Sequence, residues 1–213
     1  MSDVTTHSPD RVDPAPGDGS TRKRPKPGER RVQILQALAT MLEQPGAERV
    51  TTAALAARLD VSEAALYRHF ASKAQMFEGL IEFVEQTVFG LVNQITERET
   101  QPGPRISKII SMLLQFGEKN PGMARVMVGD ALVFENERLH QRMNQLFDKL
   151  EATFKQSLRE AAGTAGSATP TVDAQARAST LTAFCIGRLQ RFARSGFKRL
   201  PTEHLEASLA VLL

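Results

Sequence analysis

The chain of 213 residues contains one cysteine, Cys185, one tyrosine, Tyr67, and no tryptophan. A single thiol forms neither an internal disulfide nor a multi-thiolate metal site, which excludes a disulfide scaffold, a zinc ribbon and a dithiol redox pair and agrees with a reducing compartment. Long hydrophobic runs are missing as well. Charged or polar residues interrupt each apolar stretch before the ~18 positions that a membrane span needs, and the start, MSDVTTHSPD, has no apolar segment of the secretory kind. These absences predict a cytoplasmic protein with no membrane span. The 41% apolar and 24% charged composition still supplies a core for one or two domains.

A large excess of positive charge is also lacking, since the formal net charge is only +3. The distribution is more informative than the total. Residues 1–20 hold four Asp against one Arg, a net of −3, whereas 21–31 (TRKRPKPGERR) hold six basic residues against one Glu, a net of +5. The stretch 32–99 is −4 and 100–213 is +5. Residues 1–28 are poor in apolar side chains, rich in proline near the start and basic toward the end, and predict a flexible basic tail. The fold is expected to begin near Glu29.

Beyond that point the apolar residues recur at three and four positions, none of the segments alternates as a strand, and the pattern predicts an all-α fold. Val32, Leu35, Leu38, Ala39 and Leu42 mark a first helix stopped by Pro45-Gly46. Thr51 or Thr52 caps a short Ala/Leu-rich helix ending near Leu59, and after Asp60-Val61 a second short helix runs from Ser62 through His69. Ser72 caps a long helix with Phe77, Leu80, Ile81, Val84, Val88, Leu91, Val92 and Ile95 inward, ending before Pro102-Gly103-Pro104. The next carries Ile106, Ile109, Ile110, Leu113 and Leu114 and breaks at Asn120-Pro121-Gly122. A short helix around Met123–Val128 follows, then a long one with Leu139, Met143, Leu146, Phe147, Leu150, Phe154 and Leu158 inward. GTAGSATPT, residues 163–171, reads as a loop. Leu181, Phe184, Cys185, Leu189 and Phe192, then Leu205, Leu209 and Leu212, mark the last two helices.

Residues 51–70, TTAALAARLDVSEAALYRHF, have helix-turn-helix spacing. Ala53, Leu55, Ala56, Leu59, Val61, Ala65 and Leu66 are small or aliphatic, as two closely crossing helices require, leaving Ser62, Glu63, Tyr67, Arg68 and His69 on the other side. A helix of about eight residues presents its first turn and outer face to a major groove, while Thr51 and Thr52 offer hydroxyls to phosphate. The same pattern also fits an ordinary αα-hairpin, with Thr as a cap and Tyr67 as a half-buried aromatic. Against that stands the density of hydrogen-bonding side chains: Tyr67, Arg68, His69, Ser72 and Lys73 fall within seven positions. Glu63 suits either an acceptor for a cytosine amino group or a capping carboxylate.

The string SEAALYRHFASKAQMF resembles the recognition helix of TetR-type regulators, whose hallmark is Tyr-x-His-Phe followed by Lys. Within that family RVTTAALAARLDVSEAALYRHF, QFGEKNPGMARVMVGDALVFENERL and AFCIGRLQRFARSGFKRLPTE are similar to the nucleoid-occlusion branch, over about 29–213. The resemblance implies a homodimer, associated with the nucleoid, that binds palindromic sites in double-stranded DNA and antagonises the division protein FtsZ by way of its C-terminal tail. It implies a helix-turn-helix DNA-binding domain over 29–75 and a helical dimerisation and FtsZ-binding domain over 76–213. Thr51 and Thr52 match the phosphate-contacting start of the first helix, Ser62, Tyr67 and His69 the recognition contacts, and Lys73 a lysine that reaches phosphate. Arg68 fits either a backbone contact or a pair with an acidic neighbour.

A surface for the FtsZ tail is expected where Gly79, Phe83 and Gly90 leave the apolar stripe, beside Met112 and Phe116 one turn apart and Lys119 and Asn120 at the helix end. Phe83 and Phe116 suit a core equally well, and Lys119 a solvated helix-end cation. Leu91 departs from the family pattern, which carries a basic residue nearby. Arg188, Arg191 and Arg194, with Lys198 and Arg199, make the penultimate helix end cationic, and Gly187 allows close approach in a dimer. Met112, Met123, Met127 and Met143 suit core filling better than the small-molecule pocket of a ligand-responsive repressor, the alternative function. His140 and His204 lack partners at metal spacing. With no Ser/His/Asp set, phosphate loop or paired catalytic carboxylates recognisable, neither an enzyme nor a cofactor is expected.

Overall fold

A computed structural model describes residues 28–44, 50–164 and 168–213, and all regular structure among them is helical. The helices are α1 (Glu29–Leu42), α2 (Thr52–Arg58), α3 (Glu63–Tyr67), α4 (Lys73–Arg98), α5 (Pro102–Lys119), α6 (Pro121–Met127), α7 (Glu137–Thr164), α8 (Pro170–Arg194) and α9 (Leu205–Leu212), with a 3-10 turn at Asp130–Leu132. The tail up to residue 27, the Pro45-Gly46 stop and positions 165–167 of the 163–171 loop lie outside the described residues.

The expected inward face of α1 holds except at its start: Leu38 and Leu42 are fully buried and Leu35 and Ala39 half-buried against the core, Ile34 is buried in addition, and Val32 faces solvent. α1 packs against α4, where Leu35 fills the space beside Gly79, and α6, where Ala39 and Leu42 meet Gly122. The long helices keep the expected stripes. Leu139, Met143, Leu146, Phe147, Leu150, Phe154 and Leu158 of α7 are all buried, each such side chain contributing about 1.5–3 kcal/mol relative to exposure. On α4 Leu91 and Ile95 are only half-buried, and on α8 so is Phe184. α4 ends before Pro102, as expected, and Pro102 itself stands at the first position of α5, where its missing N–H has no helical acceptor to lose.

Three features lock the helix-turn-helix end to the bundle. First, α4 is continuous across residue 75, so the expected division between the two domains falls within its first turn and both halves share one 26-residue helix. Second, Gly122 at the start of α6 sits so close to α1 that a Cβ there would lie 2.1 Å from the Ala39 carbonyl oxygen. Third, Arg125 of α6 donates to the Gln44 carbonyl (3.1 Å) and lies 5.1 Å from the Phe197 ring centroid, joining the end of α1 to the chain after α8.

Ion pairs tie α4 to α7 along one edge. Arg142 grips Glu85 with Nε at 3.1 Å and Nη2 at 2.6 Å, Arg138 pairs with Glu78, and Lys73 with Glu135. The Glu85 carboxylate, through its hydrogen bond and its charge, holds the Arg142 pKa above the ordinary guanidinium value against the opposing effect of burial.

Candidate DNA-binding face and α4–α5 groove

The two short helices are fixed by local chemistry legible in their sequence. Thr51 is the N-cap of α2, its hydroxyl accepting from Ala54 N–H (3.2 Å), and Ser62 caps α3 by accepting from Ala65 N–H (3.3 Å). The turn between them places Asp60 in the left-handed region at φ 53°, which a short polar side chain tolerates, and Val61 N–H closes it onto the Ala56 carbonyl at 3.1 Å. Leu55, Ala56, Leu66 and Phe70 form the buried seam. Ala53, expected in that seam, is exposed, since it lies on the outer face of the first turn of α2.

α3 is shorter than its sequence pattern suggests. It ends at Tyr67, Arg68 is its C-cap, and His69 N–H bonds back to the Leu66 carbonyl at 2.9 Å, so His69 lies in the turn beyond the helix. Ser62, Glu63, Tyr67, Arg68 and His69 are all exposed, with Tyr67 45% exposed. Among the described residues Arg68 makes no ion pair.

Several polar contacts here have no local sequence signature. Thr52 directs its hydroxyl to Glu63 Oε2 at 2.6 Å, so Glu63 stitches α3 to α2. Arg31, the last residue of the basic stretch 21–31, lies in α1, as expected for a fold that begins near Glu29; its guanidinium lies 4.1 Å from the Phe70 ring centroid and donates to the His69 carbonyl. The end of the basic stretch is thereby anchored on the chain leaving α3. Lys73, the first residue of α4, has its ammonium 2.5 Å from Glu135 Oε1, from the segment before α7.

The other group of candidates lies on α4 and α5. Phe83 is 47% exposed on α4, Met112 is half-buried on α5, and Lys119 is exposed at the end of α5, with no ion pair among the described residues. Two expectations are corrected. Phe116 is only 8% exposed and belongs to the core, its face of α5 being the one that also buries Leu113 and Gly117. Gly79 does not open a trough: the Leu35 side chain of α1 fills the space beside it at 3.1 Å, whereas Gly90 faces open space. Asn120 donates its side-chain amide to the Phe116 carbonyl (2.8 Å), ending α5 where α6 starts.

Farther along, in the α4–α5 seam, lies an open groove of about 350 Å³ lined by Leu91, Gln94, Ile95, Arg98, Glu99 and Lys108. Its floor is apolar and its rim charged. Lys108 binds Glu99 at 2.7 Å, and that hydrogen bond, with one from the Gln101 N–H, holds the Glu99 carboxyl below its ordinary pKa. Arg105 pins the α4–α5 turn by donating to the Glu99 and Thr100 carbonyls and to Glu160 of α7. From Phe83 to Arg98 the seam extends about 22 Å at the helical rise per residue, the length of six or seven extended residues.

Elsewhere Cys185 is completely buried, and desolvation pushes its thiol up to about 12. His140 is anchored to the Leu132 carbonyl at 2.8 Å, and among the described residues no cluster of His, Cys, Asp and Glu is arranged to hold a metal. None of the described helices is long and apolar enough to cross a membrane.

A short Ser-capped helix that presents Tyr67 and leads into Arg68 and His69, crossed by a Thr-capped helix and mounted on a helical bundle, has the helix-turn-helix arrangement of DNA-binding regulators. Residues 34–80 match the family described as bacterial regulatory proteins, tetR family, and residues 101–213 the SlmA-like group of tetracyclin repressor-like C-terminal domains. Among curated proteins the chain is 51% identical over 189 residues to the nucleoid occlusion factor SlmA of Aliivibrio fischeri, covering 88% of this chain and 96% of that one. It is 51% identical over 183 residues to that of Idiomarina loihiensis, covering 86% and 93%. The fold is also shared with a TetR-family transcriptional regulator from Bordetella parapertussis (TM-score 0.69, 16% identity, 87% and 95% coverage) and with FadR from Bacillus subtilis, solved with stearoyl-CoA (TM-score 0.67, 15% identity, 85% and 96% coverage). The chain belongs to the TetR family, in its SlmA group of nucleoid occlusion factors.

Proposed function

We propose that the protein binds palindromic DNA sites as a homodimer and, so bound, takes the C-terminal tail of FtsZ in the α4–α5 seam and antagonises FtsZ assembly. The observation that carries the DNA half is the joint exposure of Ser62, Tyr67, Arg68 and His69, with Thr51 and Thr52 at the adjoining helix start. Tyr67 and His69 reach base edges, and Thr51, Thr52, Arg68 and Lys73 the phosphates that set register. The basic stretch 21–31 adds contacts that do not read sequence. Apolar side chains left in solvent on the last two helices, Val172 and Val211, with the open position at Gly187, support α8 and α9 as the dimer surface.

Phe83, Met112, Lys119 and Asn120 form one end of the peptide seam, and the groove at Leu91 and Ile95 the other, with Arg98 in place of the basic residue expected near position 91. Phe116 supports the seam from beneath. An extended segment with apolar anchors and an acidic residue suits this surface. Against the ligand-released repressor, Met123, Met127 and Met143 are packed in the core.

Sedimentation of GTP-assembled FtsZ tests the proposal. A tightly binding duplex should increase the protein's effect on the pellet, and Lys119→Glu should abolish that effect while leaving DNA affinity unchanged. No response to duplex, together with no response to Lys119→Glu, refutes the FtsZ half. Operator affinity insensitive to Tyr67→Ala combined with His69→Ala refutes the DNA half.

A further inference from the structure

We propose that Glu135 restrains DNA binding: its carboxylate occupies Lys73 in the free protein and competes with the phosphate that Lys73 takes on DNA. The inference rests on the reading of Lys73 as a phosphate contact. Lys73 opens α4 directly after the Ser72 cap, at the edge of the helix-turn-helix face, yet its ammonium is held 2.5 Å from Glu135 Oε1. The pair is partly shielded, with the Lys73 side chain 27% and the Glu135 side chain 10% exposed. Both ends are fixed. The Lys73 ammonium lies 5.7 Å from the Phe77 ring centroid, and Glu135 N–H bonds to the Leu132 carbonyl at 2.8 Å.

A carboxylate and a phosphodiester offer the same thing to an ammonium, an anionic oxygen acceptor, and lysine meets either as a compact point charge. A phosphate arriving at Lys73 therefore meets a cation already neutralised, and it also meets the negative charge of Glu135. Either the pair opens or the two anions share the ammonium, and both outcomes reduce the net gain of the contact. Two other carboxylates of this region hold partners other than Lys73: Glu78 is paired with Arg138 and Glu63 with the Thr52 hydroxyl. Because Glu135 comes from the segment before α7, the bundle itself supplies the competitor, and DNA at Lys73 loosens one bond between the two halves of the molecule.

The test measures affinity for a duplex selected from a random pool, as a function of salt, for wild type, Glu135→Gln, Lys73→Gln and the double variant. Glu135→Gln should bind about three- to tenfold more tightly. In the Lys73→Gln background the same change should have no effect. Tighter binding in both backgrounds indicates a general charge effect and overturns the proposal, as does weaker binding of Glu135→Gln, which would mean that Glu135 aims Lys73 rather than withholding it. Lys73→Gln alone tests the underlying reading: it should weaken binding and lower the slope of log affinity against log salt by about 0.9, and an unchanged slope means that Lys73 meets no phosphate. A second measurement needs no variant. In wild-type protein the NMR signals of the Lys73 ammonium and the Glu135 side-chain carboxyl should both shift when duplex is added; movement of the ammonium alone overturns the competition.

Discussion

Three glycines that look alike in sequence should respond differently to alanine, because the structure puts different atoms where the new methyl would go. At Gly122 the Cβ would lie 2.1 Å from the Ala39 carbonyl oxygen and 3.0 Å from its carbonyl carbon. That obstacle is the backbone of α1, so the α1–α6 crossing must open by roughly an ångström and the packing around Leu42 must follow. Overpacking of this kind costs about 1–3 kcal/mol, corresponding to a fall in Tm of about 2–12 °C for a chain of this length. At Gly117 the obstacle, at 2.4 Å, is Cδ2 of Leu189, the far end of a side chain rather than backbone, so the cost should be smaller than at Gly122. Gly90 has no atom within 4 Å and lies well inside α4, where alanine should stabilise by about 0.5–1 kcal/mol. Thermal unfolding followed by circular dichroism, at one fixed protomer concentration, reads all three. The reasoning fails if Gly122→Ala melts within a degree of wild type or if Gly90→Ala melts below it.

Cys185 is protonated in both folded and unfolded chains at neutral pH, but burial raises the folded value from an ordinary 9.0 to about 12. The unfolded thiol ionises first, so this contribution to stability is complete below pH 9 and lost as pH rises toward 12; denaturant melts of wild type and Cys185→Ala across that window should converge in their pH dependence only below about pH 9. At the α4–α7 edge, a double-mutant cycle between Glu85→Gln and Arg142→Gln should give a coupling energy of about 1 kcal/mol that shrinks in high salt; a coupling indistinguishable from zero would show that the bidentate geometry adds nothing to stability.

The helical content and most inward stripes were legible because helices advertise a buried face through spacing alone, as Leu139 through Leu158 do along α7. The caps were legible too, since Thr51, Ser62 and Ser72 act on backbone within their own next turn. At the start of α1 Val32 was taken for Ile34, because the two are equally apolar and only the neighbouring helices decide between them. α3 ended early because its last turn is set by Phe70 entering the core and by Arg31, which comes from another helix. For the same reason the partners of Thr52 and Lys73 were invisible: Glu63 and Glu135 are eleven and sixty-two positions away, and a surface glutamate has no signature of what it will hold. Phe116 and Gly79 were read as groove residues from helical spacing, which fixes an angle around one helix but not which neighbour fills that angle.

The burial of Cys185 also makes the native chain a ready background for spectroscopy. With its one thiol in the core of α8 and reluctant to ionise, a cysteine introduced at Phe83, Lys119 or Arg68 would be the sole group to take a maleimide fluorophore or spin label at neutral pH, with no prior removal of the native residue. Labels at the seam and on the DNA-facing turn of one molecule would then allow the distance between the two surfaces to be followed as each is occupied.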